Sequence, residues 1–550
     1  MFGLMQDRPL MISSLIEHAA AFHADTEIVS RLPEGHVRRT TWSRVGEHAK
    51  QVANALAELG IEQGDRVATL AWNSDRHLEL YFGVSGSGAV LHTVNPRLFP
   101  DQIAYIINHA EDRVLFFDIT FAPLVSRLAP ELKTVRTYVA MTDREHLPTM
   151  SELPAERLLC WDELVGAQGT DYMWPVFDER TASSLCYTSG TTGNPKGVLY
   201  SHRSTMLHTL MAAGRDTNDI HSGTSMLLVV PMFHANAWGT PYTAAMVGAK
   251  LVLPGPHLDG ESIYQLMKSE GVNQSQGVPT VWMMLFSHLD EHPEIDPHEL
   301  GLQIAGTGGA ALPLSMIERF ERDFGANTMQ GWGMTETSPL CVIGQLLPKH
   351  KGLDAAELAQ IKLKQGRGIC GVELKIVDDC GNSLPWDGEA FGEVWVRGPW
   401  IASGYFNGEG GDMLDVEGFF PTGDVATIDP DGYLQLVDRV KDVIKSGGEW
   451  VSSIDLENAA MSHPAVAEAA VIGVAHPKWQ ERPLLVAVLR KGQRASRAEL
   501  LDHLAGEVAK WWLPDDVVFV DELPHTATGK VSKLKLRELF GEHELPTATT

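Results

Sequence analysis

Apolar and polar positions alternate along the first half of the chain in two distinct periods. Between Trp42 and Leu59 an apolar residue recurs at every third or fourth position, which predicts a helix that ends at Gly60. The next apolar run, "RVATLAW" (66–72), is short and reads as a buried strand. The same succession returns in "AKLVLP" (249–254) and the helix-like "ESIYQLMKSEG" after it. This alternation favours β-α units that build a parallel sheet.

The pattern changes twice in the second half of the chain. Between Gly366 and Gly404 short apolar runs such as "GEVWVRGP" are separated by turns, which predicts a β-rich, more antiparallel subdomain. Beyond Asp438 a new set of strand patterns surrounds a helix predicted over 496–510. We therefore expect an α/β protein with a large N-terminal domain (1–437) of parallel β-α layers plus a β-rich subdomain. A small α+β C-terminal domain (438–550) should follow it.

Composition and charge narrow the class of ligand. The chain has 550 residues, of which 44% are hydrophobic, so it can bury more than one core. Its 44 Lys and Arg against 71 Asp and Glu give a formal net charge of −27. A background of that sign repels nucleic acid and anionic membranes, so neither is an expected partner. An anionic ligand must be held by local amides, cations or a metal.

Cysteine usage and hydropathy bear on the compartment. The cysteines are scattered and form no C-x-x-C pair, which argues against a disulfide framework or a structural zinc; they are Cys160, Cys186, Cys341, Cys370 and Cys380. The N-terminal segment lacks the cationic start and sustained apolar core of a signal peptide. No apolar run is long enough to span a bilayer. We expect a cytoplasmic protein without a membrane span.

The most informative local stretch is "YTSGTTGNPKG" (187–197). It combines three glycines and several hydroxyl side chains with one cation, Lys196, between two strand-like segments. A hairpin whose amides and hydroxyls point one way can wrap a polyphosphate, and a lysine adds a point charge. The spacing is not that of a Walker A loop, because Gly197 follows the lysine. An ordinary polar turn remains the alternative on composition alone.

Four motifs in order identify a family. The stretch 187–197 resembles the phosphate-loop motif of the adenylate-forming enzymes, which include acyl-CoA synthetases, adenylation domains of peptide synthetases and firefly-type luciferases. "GWGMTETSP" (331–339), "TGDVATIDPDGYLQLVDRVKDVIKSGGEW" (422–450) and "TATGKVSKLKLRE" (526–538) resemble further motifs of that family. The resemblance spans most of the chain. It implies that a carboxylate and ATP form an acyl-adenylate, and that a thiol then displaces AMP.

The resemblance assigns roles around ATP and Mg²⁺. The phosphate-binding positions are Thr188, Ser189, Gly190, Thr191, Thr192, Gly193 and Lys196. Thr335 is expected at the α-phosphate and Glu336 at Mg²⁺, a cation that prefers hard oxygen ligands. Asp424 should accept hydrogen bonds from the ribose hydroxyls, with Arg439 beside it. "GTGGAAL" (306–312) offers a flat surface for adenine, and the remaining nucleotide positions are Gly309, Ala310, Gln330, Gly331 and Trp332.

A second set of residues is implied in the C-terminal domain. In this family one small domain takes two orientations, the first of which delivers a lysine to the carboxylate and α-phosphate. Lys530 matches that lysine, and Lys441 matches the hinge position. The second orientation opens a tunnel for the pantetheine arm of coenzyme A. By resemblance, that tunnel involves Lys445, Gly447, Gly448 and Trp450.

The acid pocket is expected around "VPMFHANAWG" (230–239). His234 stands where amino-acid-activating relatives usually carry an aspartate, which argues against an amino acid substrate. We expect His234 to gate the carboxylate entrance, with a buried structural histidine as the alternative. Residues expected to line the pocket are His234, Trp238, Gly308, Trp332 and Met334.

Several stretches are similar to the fatty-acid-type branch, which includes ligases for 3-(methylthio)propionate, and the N-terminal region is most similar to those. The expected function is an ATP-dependent acid–CoA ligase for 3-(methylthio)propionate or related short and medium-chain acids. The alternatives are a medium-chain fatty-acid–CoA ligase, an enzyme that loads a carrier protein, and a luciferase-like oxygenase. Dimers are common in the family, so a homodimer stays open beside a monomer.

Overall fold

The computed structural model of the protein describes residues 1, 3–188, 194–446, 449–525 and 531–549. Its strands, in chain order, are β1 (Glu27–Arg31), β2 (Val37–Thr41), β3 (Arg66–Leu70), β4 (Val90–Thr93), β5 (Val114–Phe117), β6 (Thr137–Ala140), β7 (Leu158–Cys160), β8 (Ala182–Tyr187), β9 (Gly197–Ser201), β10 (Ser225–Leu228), β11 (Lys250–Leu253), β12 (Gln274–Gly277), β13 (Ile304–Thr307), β14 (Asn327–Gly333), β15 (Leu340–Ile343), β16 (Gly366–Gly368), β17 (Glu373–Val377), β18 (Gly392–Arg397), β19 (Phe420–Ile428), β20 (Tyr433–Arg439), β21 (Ile444–Ser446), β22 (Glu449–Val451), β23 (Val466–His476), β24 (Gln480–Leu489) and β25 (Asp516–Phe519).

The helices are named in the same way. They are α1 (Ser13–Phe22), α2 (Trp42–Glu58), α3 (Asp75–Ser87), α4 (Pro100–Ala110), α5 (Ala122–Leu128), α6 (Trp161–Leu164), α7 (His202–Ala212), α8 (Ala235–Trp238), α9 (Thr240–Val247), α10 (Gly260–Glu270), α11 (Pro279–Glu291), α12 (Leu314–Arg319), α13 (Ala355–Lys362), α14 (Ser453–Met461), α15 (Arg497–Glu507) and α16 (Lys533–Phe540).

Local sequence explains where the helices begin and end. Helix α2 buries the stripe that the apolar spacing predicts, including Val45, Val52 and Leu56, and it ends just before Gly60, which has a positive φ of 71°. Helix α3 is capped by Ser74, whose hydroxyl accepts a hydrogen bond from the His77 N–H. Strands and helices therefore alternate as the hydrophobic pattern indicates.

The first sheet has seven strands in the order β7-β6-β5-β3-β4-β8-β9. Its pairs are parallel except at one edge, where β8 and β9 form an antiparallel hairpin. This hairpin carries the phosphate-loop motif, so the sheet places the motif at its margin.

The second sheet runs β17-β18-β19-β20-β16-β15-β14-β13-β12-β10-β11-β1-β2. Strands β1 and β10 to β14 pair in parallel, whereas β14 to β20 pair antiparallel. The expected β-rich subdomain therefore continues the parallel sheet. A large apolar cluster with Trp42, Tyr81 and Tyr242 at its centre joins the two sheets through α1, α2, α3 and α9.

The C-terminal sheet is separate and smaller. It has the order β22-β21-β24-β23, and β25 pairs with β24. Strand β20 of the second sheet continues to Arg439, and β21 begins at Ile444. The chain thus passes from one sheet to the other over 440–443, a segment that contains Lys441. The fold class expected from the sequence is confirmed.

Two further findings concern the hydropathy of the helices and the state of the cysteines. Among the described residues no helix combines the length and apolar character needed to cross a membrane. All five cysteines are free thiols, and Cys160, Cys186 and Cys341 are buried.

Candidate active site

A cavity of about 800 Å³ lies where the two N-terminal sheets meet the C-terminal sheet domain. Its wall includes most of the positions that the motifs singled out. Those in the lining are Thr188, Lys196, His234, Trp238, Gly308, Gly309, Ala310, Gly331, Trp332, Met334, Thr335, Glu336, Asp424, Arg439 and Lys441. The fold therefore brings together segments that lie up to about 250 residues apart in the chain.

The phosphate motif lies at the end of the β8–β9 hairpin. The Thr188 N–H donates to the Lys196 carbonyl at 2.9 Å, which closes the base of the loop. Lys196 extends over the ring of Tyr405, with its Nζ 4.8 Å from the ring centroid. The ammonium is thus held at the cavity wall by a cation–π contact. Ser189, Gly190, Thr191, Thr192 and Gly193 lie outside the described residues.

Glu336 is a buried carboxylate that faces the cavity, with 5% of its surface exposed. The Tyr405 hydroxyl donates to Glu336 Oε1 at 2.6 Å. Burial raises the pKa of Glu336 above its ordinary value, although the Tyr405 hydrogen bond acts in the opposite direction. A carboxylate in this setting gains from a cation placed beside it.

Whether the site suits Mg²⁺ depends on its donors. Among the described residues no cluster of three or more His, Cys, Asp or Glu could hold a metal. Mg²⁺ is commonly bound by one or two carboxylates together with substrate phosphates and water. A single carboxylate at the wall of a phosphate cavity therefore fits Mg²⁺ that arrives with a nucleotide.

Thr335 lies next to Glu336 in a short 3-10 turn after β14. Its carbonyl accepts a hydrogen bond from the Tyr200 hydroxyl at 2.6 Å. Tyr200 belongs to β9, so this bond connects the turn to the phosphate hairpin. The two halves of the expected phosphate site are therefore positioned against each other.

Asp424 has two partners in the described structure. Its Oδ2 accepts a hydrogen bond from Trp332 Nε1 at 2.8 Å, and its Oδ1 lies 3.0 Å from Arg439 Nε. Asp424 and Arg439 are paired residues of β19 and β20, so the sheet register brings them together. The carboxylate is fixed in orientation and still borders the cavity. Trp332 is buried and serves here to orient Asp424, a role that the sequence did not indicate.

The stretch expected to contact adenine follows β13. Gly309 has a positive φ of 80°, and both Gly309 and Ala310 are exposed at the cavity wall. Gln330 is not part of the lining. Its amide instead donates to the Lys362 carbonyl at 2.7 Å and accepts from the Leu312 N–H at 3.0 Å. Gln330 thus braces the adenine loop from behind.

The segment expected to border the carboxylic acid substrate, 235–239, has an unusual backbone conformation. Residues 235–239 all have positive φ, from 41° at Ala235 to 77° at Gly239, so α8 is a left-handed turn. Such a conformation is costly for residues other than glycine, and it persists only where the surroundings impose it. The turn directs Trp238 towards Gly308, where an added Cβ would lie 3.0 Å from the indole ring.

The C-terminal sheet domain closes one side of the cavity. His525 and Val531 form an isolated β-bridge, and both border the cavity. Lys530 lies outside the described residues, between these two flanking positions. Lys533 is anchored nearby: its Nζ lies 2.9 Å from Glu457 Oε1 and 3.6 Å from Asp438 Oδ2.

Two of the residues expected at the pantetheine tunnel, Lys445 and Trp450, lie in the paired strands β21 and β22. Lys445 lies in β21, where its N–H donates to Glu481 Oε2 at 3.0 Å, and it does not line the cavity. Trp450 pairs with Lys445 through the backbone of β22. Gly447 and Gly448 fall outside the described residues.

Two residues of the site were missed by the sequence analysis. Tyr405 belongs to "SGYFNG", a stretch without a spacing that predicts contact with Glu336, 69 residues earlier. Gln276 lies in β12 and is 4% exposed, and it belongs to none of the motifs. A polar residue within a buried parallel strand is the one signal that could have singled it out.

Comparison with known proteins agrees with this site. Residues 16–406 match the family model described as AMP-binding enzyme, and residues 455–530 match the AMP-binding enzyme C-terminal domain. The chain therefore belongs to the AMP-binding enzyme family. Its expected class, an AMP-forming acyl-CoA synthetase, is confirmed by the relatives described next.

Three similar proteins illustrate the range of that class. The 3-methylmercaptopropionyl-CoA ligase of Ruegeria lacuscaerulensis is 52% identical over 98% of this chain and 99% of its own length. The medium-chain-fatty-acid–CoA ligase of Ectopseudomonas oleovorans is 47% identical over 98% of both chains. The crystal structure of the anthranilate CoA ligase AuaEII in complex with anthranoyl-AMP has a TM-score of 0.85 at 26% identity, covering 97% of this chain and 99% of that one.

Proposed function

We propose that the protein ligates 3-(methylthio)propionate, or an acid of similar size, to coenzyme A with release of AMP and pyrophosphate. One observation carries the proposal: a single cavity joins the phosphate hairpin, the paired Asp424 and Arg439, Glu336 and the flanks of Lys530. The relatives named for 3-methylmercaptopropionyl-CoA and medium-chain acids support this range of substrates.

In the first half-reaction the carboxylate attacks the α-phosphate of ATP and pyrophosphate leaves. We propose that Lys196 and the phosphate loop bind the β- and γ-phosphates, and that Asp424 accepts hydrogen bonds from the ribose. Lys530 bridges the attacking carboxylate and the α-phosphate. Preorganised donors of this kind stabilise charge that develops in the transition state. When bound, Mg²⁺ supplies positive charge to the phosphates, and Glu336 is the residue that would hold it.

In the second half-reaction the thiol of coenzyme A attacks the acyl carbonyl and AMP leaves. We propose a domain boundary between residues 437 and 438, with Lys441 as the hinge residue. The C-terminal domain then turns about Lys441 and brings Gly447, Gly448 and Trp450 towards the thiol. His234 borders the cavity near Trp238, which suits a residue that contacts the carboxylate on entry.

We further propose that the protein acts in the cytoplasm, where free thiols are kept reduced. The family resemblance leaves a homodimer open beside a monomer, and we propose the homodimer as the assembly to test. Size-exclusion chromatography with light scattering separates a homodimer from a monomer.

An acid panel tests the proposed reaction. AMP release is measured with propionate, hexanoate, 3-(methylthio)propionate and benzoate, each with and without coenzyme A. The proposal predicts thioester formation with free coenzyme A and the highest kcat/KM for 3-(methylthio)propionate or an acid of similar length. AMP formation only when a carrier protein is added would contradict it.

A further inference from the structure

Gln276 is a buried polar side chain in the wall of the cavity. It is 4% exposed, and no described residue hydrogen-bonds to its amide Nε2. Gln274, two residues earlier on the same strand, is equally buried but donates to the Asn218 carbonyl at 2.6 Å. A buried amide donor without a partner costs stability, so its presence at a ligand cavity points to a partner that the ligand supplies.

The strand register gives Gln276 a definite depth in the cavity. Gln276 of β12 pairs with Gly306 of β13, and an added Cβ at Gly306 would lie 2.7 Å from Gln276 Cγ. Gly308 follows β13 directly, two residues after Gly306. An added Cβ at Gly308 would contact Trp238, so Gln276 and Trp238 lie beside positions two residues apart, which is about 7 Å in an extended chain.

The opposite face of the same strands supports this orientation. The neighbouring positions on the same strands contact Trp282: an added Cβ at Gly277 would lie 3.3 Å from its indole, and its Nε1 donates to Thr307 Oγ1 at 3.3 Å. Trp282 belongs to an apolar core cluster. The Gln276 side chain therefore lies away from that core, and Gln276 itself lines the cavity.

We infer that Gln276 is a specificity-determining residue that donates a hydrogen bond to an acceptor atom in the acyl chain. The inference rests on the proposed function and narrows its substrate class to acids with a thioether sulfur or an ether oxygen beyond the carboxylate. An unbranched alkyl chain would leave the amide unpaired, and sites built to hydrogen-bond a substrate atom discriminate against analogues that lack it.

The test compares three acids of nearly equal length: 3-(methylthio)propionate, 3-methoxypropionate and pentanoate. They carry sulfur, oxygen or a methylene group at the same position. The wild-type enzyme is expected to prefer the sulfur or oxygen acid over pentanoate by roughly tenfold in kcat/KM. The two heteroatom acids separate a thioether site from an ether site.

The Gln276→Leu variant gives the decisive readout because its effects have opposite signs. Activity on the heteroatom acids should fall, and activity on pentanoate should rise, since the unpaired amide is gone. A side chain with a purely structural role would lower all three activities together. If Gln276→Leu does not fold, the more flexible and unbranched Gln276→Met serves the same comparison.

Gln274→Leu is the matched control, with the same change on the same strand. The Gln274 amide is already paired with the protein. The Gln274→Leu variant should therefore have a lower thermal stability and the same kcat/KM ratios between the acids as the wild-type enzyme. Equal wild-type activity on all three acids, or a parallel loss in Gln276→Leu, would overturn the inference and leave the ligase function standing. AMP release with none of the three acids would overturn both.

Discussion

The Tyr405 hydroxyl donates to Glu336 Oε1 at 2.6 Å, while the ring of the same tyrosine lies 4.8 Å from Lys196 Nζ. One side chain thus positions both the carboxylate proposed to hold Mg²⁺ and the cation at the base of the phosphate loop. These contacts join three residues that are distant in the chain, Lys196, Glu336 and Tyr405.

The Tyr405→Phe variant removes the hydroxyl and keeps the ring. We expect kcat for adenylation to fall about tenfold and the Mg²⁺ requirement to rise, because a hydrogen bond to a charged group contributes about 1.5–3 kcal/mol. ATP–pyrophosphate exchange at several Mg²⁺ concentrations measures both effects. Tyr405→Leu removes the ring as well and should also raise the KM for ATP. An unchanged Mg²⁺ dependence in Tyr405→Phe would separate Tyr405 from the function of Glu336.

The Asp424→Asn variant tests ribose recognition. It removes the charge that Arg439 faces and replaces one acceptor oxygen by a donor, so the KM for ATP should rise by roughly 10- to 100-fold. The specific readout is discrimination between ATP and 2′,3′-dideoxy-ATP. Wild-type enzyme should reject the dideoxy nucleotide, and the variant should lose most of that preference. Equal discrimination in both proteins would contradict the assignment of Asp424.

Many secondary-structure elements of the fold could be predicted from the sequence alone. The helix over 42–58 and the strand at 66–70 follow from apolar period, and the β8–β9 hairpin follows from two strand patterns around a glycine-rich loop. These features depend on the local spacing of apolar residues, which can be read from the sequence itself.

The contacts that orient the site could not be predicted in this way. Trp332 meets Asp424 across 92 residues, and Tyr405 meets Glu336 across 69. Both contacts depend on how β14, β19 and the turn at 405 pack together, which no local pattern encodes. Gln330 is a further case: its amide donates to the Lys362 carbonyl, a contact that no local pattern encodes, and its place at the nucleotide stays a prediction.

The Trp238→Ala variant tests the acid pocket. The indole lies against Gly308 at the cavity wall, so its removal should lengthen the space for the acyl chain. We expect the kcat/KM ratio of octanoate to 3-(methylthio)propionate to rise roughly tenfold, since a hydrophobic pocket distinguishes one methylene by about 1–3 kcal/mol. Trp386→Ala is the control, because Trp386 is 44% exposed and outside the lining. An unchanged chain-length profile would remove Trp238 from the pocket.

Three buried histidines should each lower the free energy of unfolding as the pH falls into mild acid. Burial lowers the pKa of His208 from 6.5 to about 4, and its Nε2 accepts a hydrogen bond from the Leu340 N–H at 3.3 Å. The pKa values of His77 and His202 are lowered to about 4 in the same way. Between about pH 6.5 and about pH 4 the unfolded chain binds more protons at these histidines than the folded chain does. Each histidine therefore removes about 1.4 kcal/mol of stability for each pH unit below about 6.5.

Urea unfolding at about pH 7 and about pH 5 measures this effect. The His208→Gln variant should lose about 2 kcal/mol less than wild type between these two values, whatever its stability at the higher pH. The same loss in both proteins would show that His208 does not contribute to the acid sensitivity.

The most direct test of the whole account is to measure the two half-reactions separately in Lys530→Ala, with Lys535→Ala as a control in the same basic segment. Acid-dependent pyrophosphate release should fall by roughly 10²- to 10³-fold in Lys530→Ala, the scale of a lost electrostatic donor, and stay near wild type in the control. Thioester formation from supplied acyl-adenylate and coenzyme A should largely survive in both variants. Two results would contradict this role of Lys530: a loss of the same size in both half-reactions of Lys530→Ala, or pyrophosphate release at the wild-type rate in that variant.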